Sequence, residues 1–397
     1  MQEAFYIVVA ANLLIALSSL WSGFQWLTAA RRSRARHPGF FAPRVALICP
    51  CKGLEPGLEQ NLTALTEQDY PSFEIFFVFA RSDDPARSAV KFVADSSRVP
   101  AHIVIAGKPE GCGEKVNSLR VAVEQLDPGF EVFVFADSDG RPGKHWLEHL
   151  VAPLHNPQLG AATSFRWWLP DRGGFWSAFG AAWDASIATM LGEHRKNFCW
   201  GGATAIRREV FDQAAVRTHW AGALSDDWAL TRALRMAGRR IEFVPECLVP
   251  ALRDADFSRL LEFTNRQIII TRVFAPKTWF AGAFAHWLYC SVLIIGFILI
   301  GQAWMEGQLW LTTALILFIV MLLAAVKGLL RWLAANELLP AWRHKLESYA
   351  WAWTLLAPLV PVLYSVNFLV SIFRRRIAWR GVRYRILSAG QTQILSR

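Results

Sequence analysis

Two aspartates, Asp137 and Asp139, stand one residue apart directly after the apolar run "FVFA" at 133–136. Aspartate is rare within strands and common in turns, so the run predicts a buried strand that ends in a short polar loop. Two carboxylates this close repel each other unless a positive charge lies between them. Mg²⁺ binds one or two carboxylates together with substrate phosphates. The spacing therefore predicts a divalent cation that a phosphorylated nucleotide brings to this loop.

Apolar runs of strand character alternate with amphipathic helical runs between residues 44 and 154. This alternation predicts an α/β fold with a mostly parallel sheet and helices on both faces. Ligands of such sheets bind beyond the carboxyl ends of the strands. Lys52 follows the first predicted strand, and Asp83 and Asp84 follow the second. We expect these side chains to lie at the same sheet edge as the first aspartate pair.

Two nucleotide-binding motifs are missing from the sequence. No Gly-x-Gly-x-x-Gly follows the first strand, and no Gly-x-x-x-x-Gly-Lys-Ser/Thr occurs. Their absence disfavours a dinucleotide-binding fold and a P-loop nucleotidase.

Four long uncharged runs account for much of the 53% hydrophobic content of the 397 residues. Each run is long enough to cross about 30 Å of hydrocarbon as a helix. The runs are 4–30, 278–305, 307–326 and 348–373. They predict an N-terminal anchor at 1–30, a soluble domain at 31–277, a C-terminal membrane region at 278–373 and a basic tail at 374–397.

The basic residues predict how the chain is oriented in the membrane. Positive charge follows the first run instead of preceding it, as Arg31, Arg32, Arg34 and Arg36. This pattern favours an uncleaved anchor over a signal peptide and predicts an inner-membrane, multi-pass protein whose soluble domain faces the cytoplasm. A full crossing by 348–373 would place the basic tail outside. This run contains Pro358 and Pro361, so we expect it to be re-entrant or to lie in the interface.

The formal net charge is +10, and the arginines cluster at 31–36 and 374–385, beside the predicted membrane segments. This placement favours anionic lipid headgroups over nucleic acid as a partner. The six cysteines show no pairing framework, which is typical of a reducing compartment.

Seven stretches in order resemble the family-2-like inverting glycosyltransferases, and within them the ceramide glucosyltransferase branch. The stretches are "PCKGLEPGLEQNL" at 50–62, "SDDPA" at 82–86, "GEKVNSL" at 113–119, "ADSD" at 136–139, "GGATAIRREVFD" at 201–212, "LSDDWAL" at 224–230 and "AWRGVRYRI" at 378–386. The resemblance implies a GT-A fold with a nucleotide-sugar site on its sheet edge.

The resemblance also implies roles for individual residues in binding the donor. Lys52, Asp83 and Asp84 would line the nucleotide pocket, and Lys115 would reach the diphosphate. Asp137 and Asp139 would hold Mg²⁺ or Mn²⁺, with Asp137 also at the sugar diphosphate. The family's later motif, Gln/Arg-x-x-Arg-Trp, is matched incompletely. Arg266 is the favoured counterpart of its arginine and Arg272 the alternative.

Other residues are assigned to the acceptor. Asp227 would be the base that takes the proton of the acceptor hydroxyl, as inverting transfer requires. Asp226 either contacts the acceptor or caps the helix that follows. Trp167 and Trp168 either line an acceptor groove or anchor the chain at headgroup level. His194 either assists the acceptor or is structural.

The favoured function is transfer of a hexose onto the hydroxyl of a lipid such as ceramide, and the resemblance alone favours UDP-glucose as the donor. A hopanoid or a diacylglycerol lipid is the alternative acceptor. A processive polysaccharide synthase and a non-enzymatic membrane scaffold are the alternative classes.

Overall fold

The computed structural model describes residues 2–33 and 41–396, so Arg34 and Arg36 lie outside the described residues. The chain divides into two compact units, each built from separate stretches. The helical unit comprises Met1–Thr28, Arg172–Thr189 and Asp254–Arg374, and the sheet unit comprises Ala29–Asp171, Met190–Arg253 and Arg375–Arg397. The predicted domain boundaries, which follow sequence order, stay predictions.

The strands of the described residues are β1 (Val45–Pro50), β2 (Phe73–Phe79), β3 (Ala101–Ile105), β4 (Val132–Ala136), β5 (Leu159–Thr163), β6 (Arg166–Leu169), β7 (Ala203–Arg207), β8 (Arg240–Phe243), β9 (Val249–Leu252), β10 (Arg376–Trp379), β11 (Val382–Ser388) and β12 (Gln391–Ser396). The helices are α1 (Gln2–Ser33), α2 (Leu58–Thr66), α3 (Arg87–Asp95), α4 (Glu114–Gln125), α5 (Trp146–Val151), α6 (Phe175–Ala188), α7 (Arg208–Gln213), α8 (Val216–Trp220), α9 (Asp226–Met236), α10 (Phe257–Phe274), α11 (Pro276–Met305), α12 (Leu311–Leu338), α13 (Arg343–Ser348), α14 (Ala350–Leu355) and α15 (Val360–Phe373). Short 3₁₀ turns lie at Ala152–His155, Pro245–Cys247, Pro340–Trp342 and Ala357–Leu359.

The main sheet of the sheet unit has seven strands in the order β3-β2-β1-β4-β7-β5-β8. Strands β3, β2, β1 and β4 run parallel, β5 and β8 run parallel, and β7 is antiparallel to both of its neighbours. The predicted mostly parallel α/β fold is confirmed. The register pairs Ile48 of β1 with Phe135 of β4. The segments that follow these two strands, with Lys52 and Asp137, therefore leave the sheet at the same edge.

The central strands are apolar on both faces because both faces are covered. All of Val45–Cys49 is fully buried, as is the run Val132–Ala136 of β4. A parallel strand buried on both sides has a nearly continuous hydrophobic sequence. The core formed around these strands also includes Leu62 of α2 and Leu150 of α5.

The helical unit contains the apolar runs of the sequence. Four helices among the described residues are long and apolar enough to cross a membrane: Gln2–Ser33, Pro276–Met305, Leu311–Leu338 and Ala350–Phe373. Each overlaps one of the four predicted runs, and the third helix extends twelve residues beyond its run, past Lys327 and Arg331. Phe5 and Val9 of α1 pack in one apolar core with Val292 of α11 and Val320 of α12.

The last of these segments is broken in the middle. It consists of α14, the 3₁₀ turn Ala357–Leu359 and α15. Pro358 lies inside the turn, and Pro361 lies in the first turn of α15, where its missing N–H costs no helical hydrogen bond. The prolines therefore fix where the chain changes direction.

Contacts inside the helical unit show which way the two arms of this segment run. Before the break, the Leu346 carbonyl accepts a hydrogen bond at 2.9 Å from Trp332, near the C-terminal end of α12. At the break, the Pro358 carbonyl accepts one at 3.0 Å from Tyr289, midway along α11. After the break, Ser371 accepts one at 2.9 Å from Trp279, near the start of α11.

The connection 306–310 joins α11 to α12, and Gly296 of α11 packs against Leu317 of α12, so these two helices form a hairpin. The start of α11 and the end of α12 are then at the same end of that hairpin. Both ends of the segment 348–373 lie there, and its break reaches only the middle of α11. This geometry supports the re-entrant prediction, which stays a prediction with respect to the membrane.

We predict that single cysteines at Lys345 and Gln393 are labelled from the same side of the membrane, and a cysteine at Gln308 from the other side. A re-entrant segment returns the chain to the side it left, whereas a crossing does not. Impermeant maleimide labelling of intact cells and of lysed cells measures this. The wild-type chain gives the background, since five of its six cysteines are buried and Cys290 is half-buried. Labelling of Lys345→Cys and Gln393→Cys from opposite sides would show that 348–373 crosses.

Candidate active site

The loop after β4 carries the aspartate pair, and each carboxylate meets a basic side chain from another element. Asp137 Oδ1 lies 2.7 Å from Lys115 Nζ. Asp139 Oδ2 accepts a hydrogen bond at 2.7 Å from Arg166 Nη1 of β6. Two cations thus reduce the repulsion between the aspartates. Arg166 was not among the predicted site residues; it begins β6, and its side chain is 11% exposed.

Lys115 lies in the first turn of α4 and bridges two carboxylates. Its Nζ is 2.7 Å from Asp137 Oδ1 and 3.1 Å from Asp226 Oδ2, and its side chain is 16% exposed. Burial lowers the pKa of Lys115, but the two aspartates outweigh burial and raise the pKa above its ordinary value. Lys115 is therefore a fixed positive charge between the loop after β4 and the start of α9.

The two aspartates at the start of α9 have different surroundings. Ser225 is the N-cap, and its Oγ accepts from the Trp228 N–H at 3.4 Å. Asp227 Oδ1 accepts from the same N–H at 2.7 Å and also from the Ser225 hydroxyl. Asp226 is 5% exposed and pairs with Lys115 instead. The interpretation of Asp226 as the capping residue is therefore wrong.

The environment of Asp227 suits a general base. Burial, followed by repulsion from Asp226, raises the pKa of Asp227 to about 6, even though the Ser225 hydrogen bond and Lys115 act in the opposite direction. A carboxylate with a pKa near working pH is mostly ionised there and is more basic than an ordinary aspartate. Asp227 can therefore accept a proton while it lies next to the Lys115 cluster.

Two glycines before β7 leave room for this cluster. A Cβ at Gly201 would lie 2.5 Å from Asp226 Oδ2 and 2.7 Å from Lys115 Nζ. A Cβ at Gly202 would lie 2.5 Å from Asp137 Oδ2. Real Cβ atoms do not approach this closely, so any side chain at either position displaces a charged group. The "GG" pair is thus part of the site.

The carboxylates at the loop fit a divalent cation. Asp139 Oδ1 is buried and has no hydrogen-bond partner among residues 2–33 and 41–396. Within those residues, no group of three or more His, Cys, Asp and Glu side chains is arranged to hold a metal ion. Two carboxylates are enough for Mg²⁺ or Mn²⁺ when substrate phosphates complete the coordination. The residues present therefore suit a metal that arrives with its nucleotide.

Lys52 and Asp84 lie at the same sheet edge and support its loops. Lys52 Nζ is 2.6 Å from Glu114 Oε1 at the start of α4. Asp84 Oδ1 accepts hydrogen bonds at 2.9 Å from the N–H groups of Gly53 and Ala86. Gly53 has a φ of 67°, a conformation that favours glycine. Asp84 therefore holds the turn after β1 in place, and nucleotide binding by either residue stays a prediction.

Asp83 is exposed and pairs with Arg81. Arg81 Nε and Nη2 donate to its two oxygens at 2.7 and 2.5 Å. These hydrogen bonds lower the pKa of Asp83 to about 2. Asp83 is therefore ionised and paired, and its contact with the nucleotide stays a prediction.

Trp167 and Trp168 belong to the core of the sheet unit. They are 0% and 1% exposed, and Trp168 Nε1 donates at 2.7 Å to the carbonyl of Arg253, the residue directly after β9. Neither ring has the exposed surface that contact with an acceptor requires. We assign both a packing role and do not propose an acceptor contact for them. His194 lies in an exposed turn, where its Nδ1 accepts from the Lys196 N–H at 3.2 Å, and its role stays a prediction.

Arg266 and Arg272 both lie on α10 of the helical unit. Arg266 Nη1 is 3.9 Å from Glu262 Oε1, one turn earlier on the same helix. Arg272 Nη1 donates to the carbonyls of Ser371 and, at 2.7 Å, Ile372, and thus caps the C-terminal end of α15. Donor binding by either arginine stays a prediction.

The predicted basic tail is a folded part of the sheet unit. Strands β10, β11 and β12 form an antiparallel sheet in the order β10-β11-β12. Val382, Tyr384 and Ile386 of β11 are buried, whereas Arg383 and Arg385 between them are exposed. This alternation in "VRYRI" is the sequence signal of a half-buried strand. This stretch carries part of the family resemblance, and the sheet was not predicted from it.

Comparison with solved structures identifies the fold. A mannosyltransferase from Pyrobaculum calidifontis, PcManGT, solved in complex with GDP-Man and Mn²⁺, superposes with a TM-score of 0.51 at 18% identity. The match covers 88% of this chain and 98% of that chain. The chain thus has a GT-A-like fold, and among its described residues it also has four helices long and apolar enough to cross a membrane.

Sequence comparison gives the family. Residues 8–392 match glycosyl transferase family 21, and the chain belongs to that family. It is 24% identical over 233 residues to ceramide glucosyltransferase 1 of Caenorhabditis elegans, covering 56% of this chain and 48% of the relative. It is 23% identical over 233 residues to ceramide glucosyltransferase 3 of the same organism, covering 56% of this chain and 49% of that relative. The matched region spans about half the length of these curated relatives.

We predict that Gly202→Ala lowers glycosyl transfer roughly tenfold or more while the protein stays folded. The added Cβ would lie 2.5 Å from Asp137 Oδ2 and force that carboxylate to move. Gly143→Ala is the matched control, because a Cβ there meets nothing within 4 Å. Initial rates and thermal unfolding of both purified variants measure the effect. Equal activity of the two variants would show that Asp137 needs no fixed position.

Proposed function

We propose that the chain is a membrane-bound inverting glycosyltransferase that moves glucose from UDP-glucose onto the hydroxyl of a lipid, with ceramide the favoured acceptor. The observation that carries the proposal is the cluster of Asp137, Lys115, Asp226 and Asp227, which brings a metal-type carboxylate and a base-type carboxylate around one lysine. Membership of family 21 and the partial likeness to ceramide glucosyltransferases support the donor and the acceptor.

The donor half of the site is the loop after β4. Asp137 Oδ2 and Asp139 Oδ1 are the oxygens that would hold Mg²⁺ or Mn²⁺. When bound, the metal neutralises charge that develops on the leaving diphosphate. Lys115 keeps Asp137 in position, and Arg166 does the same for Asp139. Each carboxylate thus has one oxygen fixed by the protein and one oxygen for a ligand.

The acceptor half is the start of α9. The acceptor hydroxyl loses its proton to Asp227 as its oxygen forms a bond to the anomeric carbon, and the bond from that carbon to the diphosphate breaks with inversion. The proton ends on Asp227, and UDP leaves. Burial makes Asp227 more basic than an ordinary aspartate, which favours this transfer.

Two features support a lipid as the acceptor: the helical unit and the antiparallel sheet β10-β11-β12, which we call the tail sheet. Within residues 2–33 and 41–396, four helices are long and apolar enough to cross a membrane. The outward side of the tail sheet carries Arg376, Arg383 and Arg385, all exposed, and β10 pairs Arg376 with Arg385. Such a basic face attracts anionic lipid headgroups. We propose that it lies against the membrane surface, on the cytoplasmic side.

The test of the overall proposal is turnover by the purified full-length chain. We expect UDP-glucose and ceramide to yield UDP and a glucosylceramide of inverted, β configuration, identified by mass spectrometry and NMR. UDP-galactose, diacylglycerol and a hopanoid are the competing substrates in the same assay. Hydrolysis of UDP-glucose without any lipid product would contradict lipid transfer.

We predict that chelation abolishes activity and that Mg²⁺ or Mn²⁺ restores it. The reason is that the carboxylates of Asp137 and Asp139 would repel the negatively charged diphosphate unless a divalent cation bridges them. Initial rates in EDTA, and again after the titration of each metal, measure the effect. Undiminished turnover in excess EDTA would remove the metal from the site.

We predict that Asp227→Asn lowers kcat by roughly 10²-fold or more and leaves the affinity for UDP nearly unchanged, because the amide cannot accept the proton. The wild-type kcat should fall as the pH is lowered through about 6, where Asp227 becomes protonated. Asp226→Asn should instead weaken donor binding, since it removes one of the two partners of Lys115.

Asp212→Asn, on an exposed turn of α7, is the matched control for both variants. The measurements are kcat, KM for UDP-glucose and the pH profile with one lipid acceptor. A dead Asp226→Asn with an active Asp227→Asn would move the base to Asp226.

A further inference from the structure

Arg380 lies in the turn between β10 and β11 and reaches the sheet edge where Asp137 and Asp139 are located. Its Nη2 is 2.6 Å from Glu55 Oε1, and its Nη1 donates at 2.9 Å to the Lys52 carbonyl. We propose that Arg380 binds the diphosphate of the nucleotide-sugar donor, and that the tail sheet is the element that delivers it. This inference rests on the proposed function.

A short chain of contacts connects Arg380 to the aspartate loop. The second oxygen of Glu55 accepts from the hydroxyl of Ser138 at 3.3 Å, and Ser138 is the residue between the two aspartates. Asn61 Nδ2 also donates at 3.2 Å to the Ser138 carbonyl. Arg380 is therefore held beside the oxygens that we assign to the metal, which is where a metal-bound diphosphate would lie.

The local charge at this edge favours an anion-binding role for the arginine. Burial lowers the pKa of Arg380, but Glu55, Asp139 and Asp137 together raise it above its ordinary value. The guanidinium is planar and always charged, and its fork matches two phosphate oxygens. Lys115 already bridges two carboxylates, and Lys52 is paired with Glu114. Arg380 adds a cation that is paired with one carboxylate, Glu55, through Nη2 and with the Lys52 carbonyl through Nη1.

The backbone of Arg380 is in a conformation that arginine rarely adopts. Its φ is 47°, Gly381 follows with a φ of 81°, and Trp379 pairs with Val382, so Arg380 and Gly381 form a two-residue hairpin turn. Such turns with two positive φ values favour Asn, Asp or Gly at the first position. An arginine there is not explained by the turn itself. Strained residues of this kind cluster at ligand sites.

The tail sheet is fixed firmly enough to position this arginine. The hydroxyl of Tyr384 accepts at 3.3 Å from the Glu114 N–H at the start of α4. Thr392 Oγ1 donates at 2.9 Å to the Gly222 carbonyl, and a Cβ at Gly222 would collide with the Gly390 carbonyl. The sheet is thus attached to the sheet unit at two separate places.

Arg380→Asn separates binding from folding. Asparagine suits the turn better than arginine, so the variant should unfold at the same temperature as the wild type or higher. It removes the guanidinium, so we expect the Kd for UDP to rise roughly tenfold or more while the Kd for uridine is unchanged. Arg217→Asn, on the exposed side of α8, is the matched control and should change neither.

Equilibrium dialysis of radiolabelled UDP and uridine against the full-length protein in detergent measures these constants, with Mg²⁺ and with EDTA. Arg380→Lys keeps the charge without the fork and should show a smaller loss for UDP. Equal UDP affinity of Arg380→Asn and wild type would overturn the assignment, as would a parallel loss for uridine and UDP. If the wild-type chain binds no UDP, the proposed function falls as well.

Discussion

The ion pairs of Lys115 are the interaction on which the candidate site depends. One ammonium group links Asp137, which follows the central strand β4, to Asp226, which begins α9. Without that cation, three acidic side chains, Asp137, Asp226 and Asp227, would repel each other in a buried place. The glycines at 201 and 202 are a consequence, because the cluster leaves no space for a Cβ beside it.

The same cluster gives the two neighbouring aspartates of α9 different chemistry. Asp226 is neutralised by Lys115, whereas Asp227 is hydrogen-bonded to Ser225 and the Trp228 N–H, and burial raises its pKa to about 6. A fixed cation for one carboxylate and desolvation for the other is a general way of separating the roles of adjacent acids. It explains why adjacent residues of one type are expected to give different mutant phenotypes.

The helical unit depends on a different constraint, the close approach of backbones. Gly328 of α12 contacts the Trp353 carbonyl so closely that a Cβ there would collide with it. Small residues permit such packing between apolar helices. This close approach allows α14 to pack along α12. After the break at Pro358, α15 packs along α11 in the opposite direction. An irregular backbone of this kind is tolerated when protein surrounds it.

Much of the fold could be predicted from the sequence because its signals are local. Every strand and helix predicted between 44 and 154 is present, from Val45–Pro50 to Trp146–Val151, and each of the four uncharged runs overlaps one of the long apolar helices found in the described part of the chain. Strand periodicity, helix amphipathicity and run length are properties of neighbouring residues, so they can be read without knowing the fold. The aspartate pair at the end of β4 belongs to the same class of signal.

The sequence by itself therefore determined the fold class, the family and the acidic residues from which a site could be built. Only the tertiary structure decided the partners. Lys115, predicted to reach the diphosphate, bridges Asp137 and Asp226, and its contact with a phosphate stays a prediction. Trp167 and Trp168, predicted to lie either in an acceptor groove or at headgroup level, are buried. The tail forms a sheet that carries Arg380 to Glu55. The pair Arg380–Glu55 joins residues 325 positions apart. Pairing over such a distance depends on which surfaces the whole chain brings together, and no local pattern of residues encodes it.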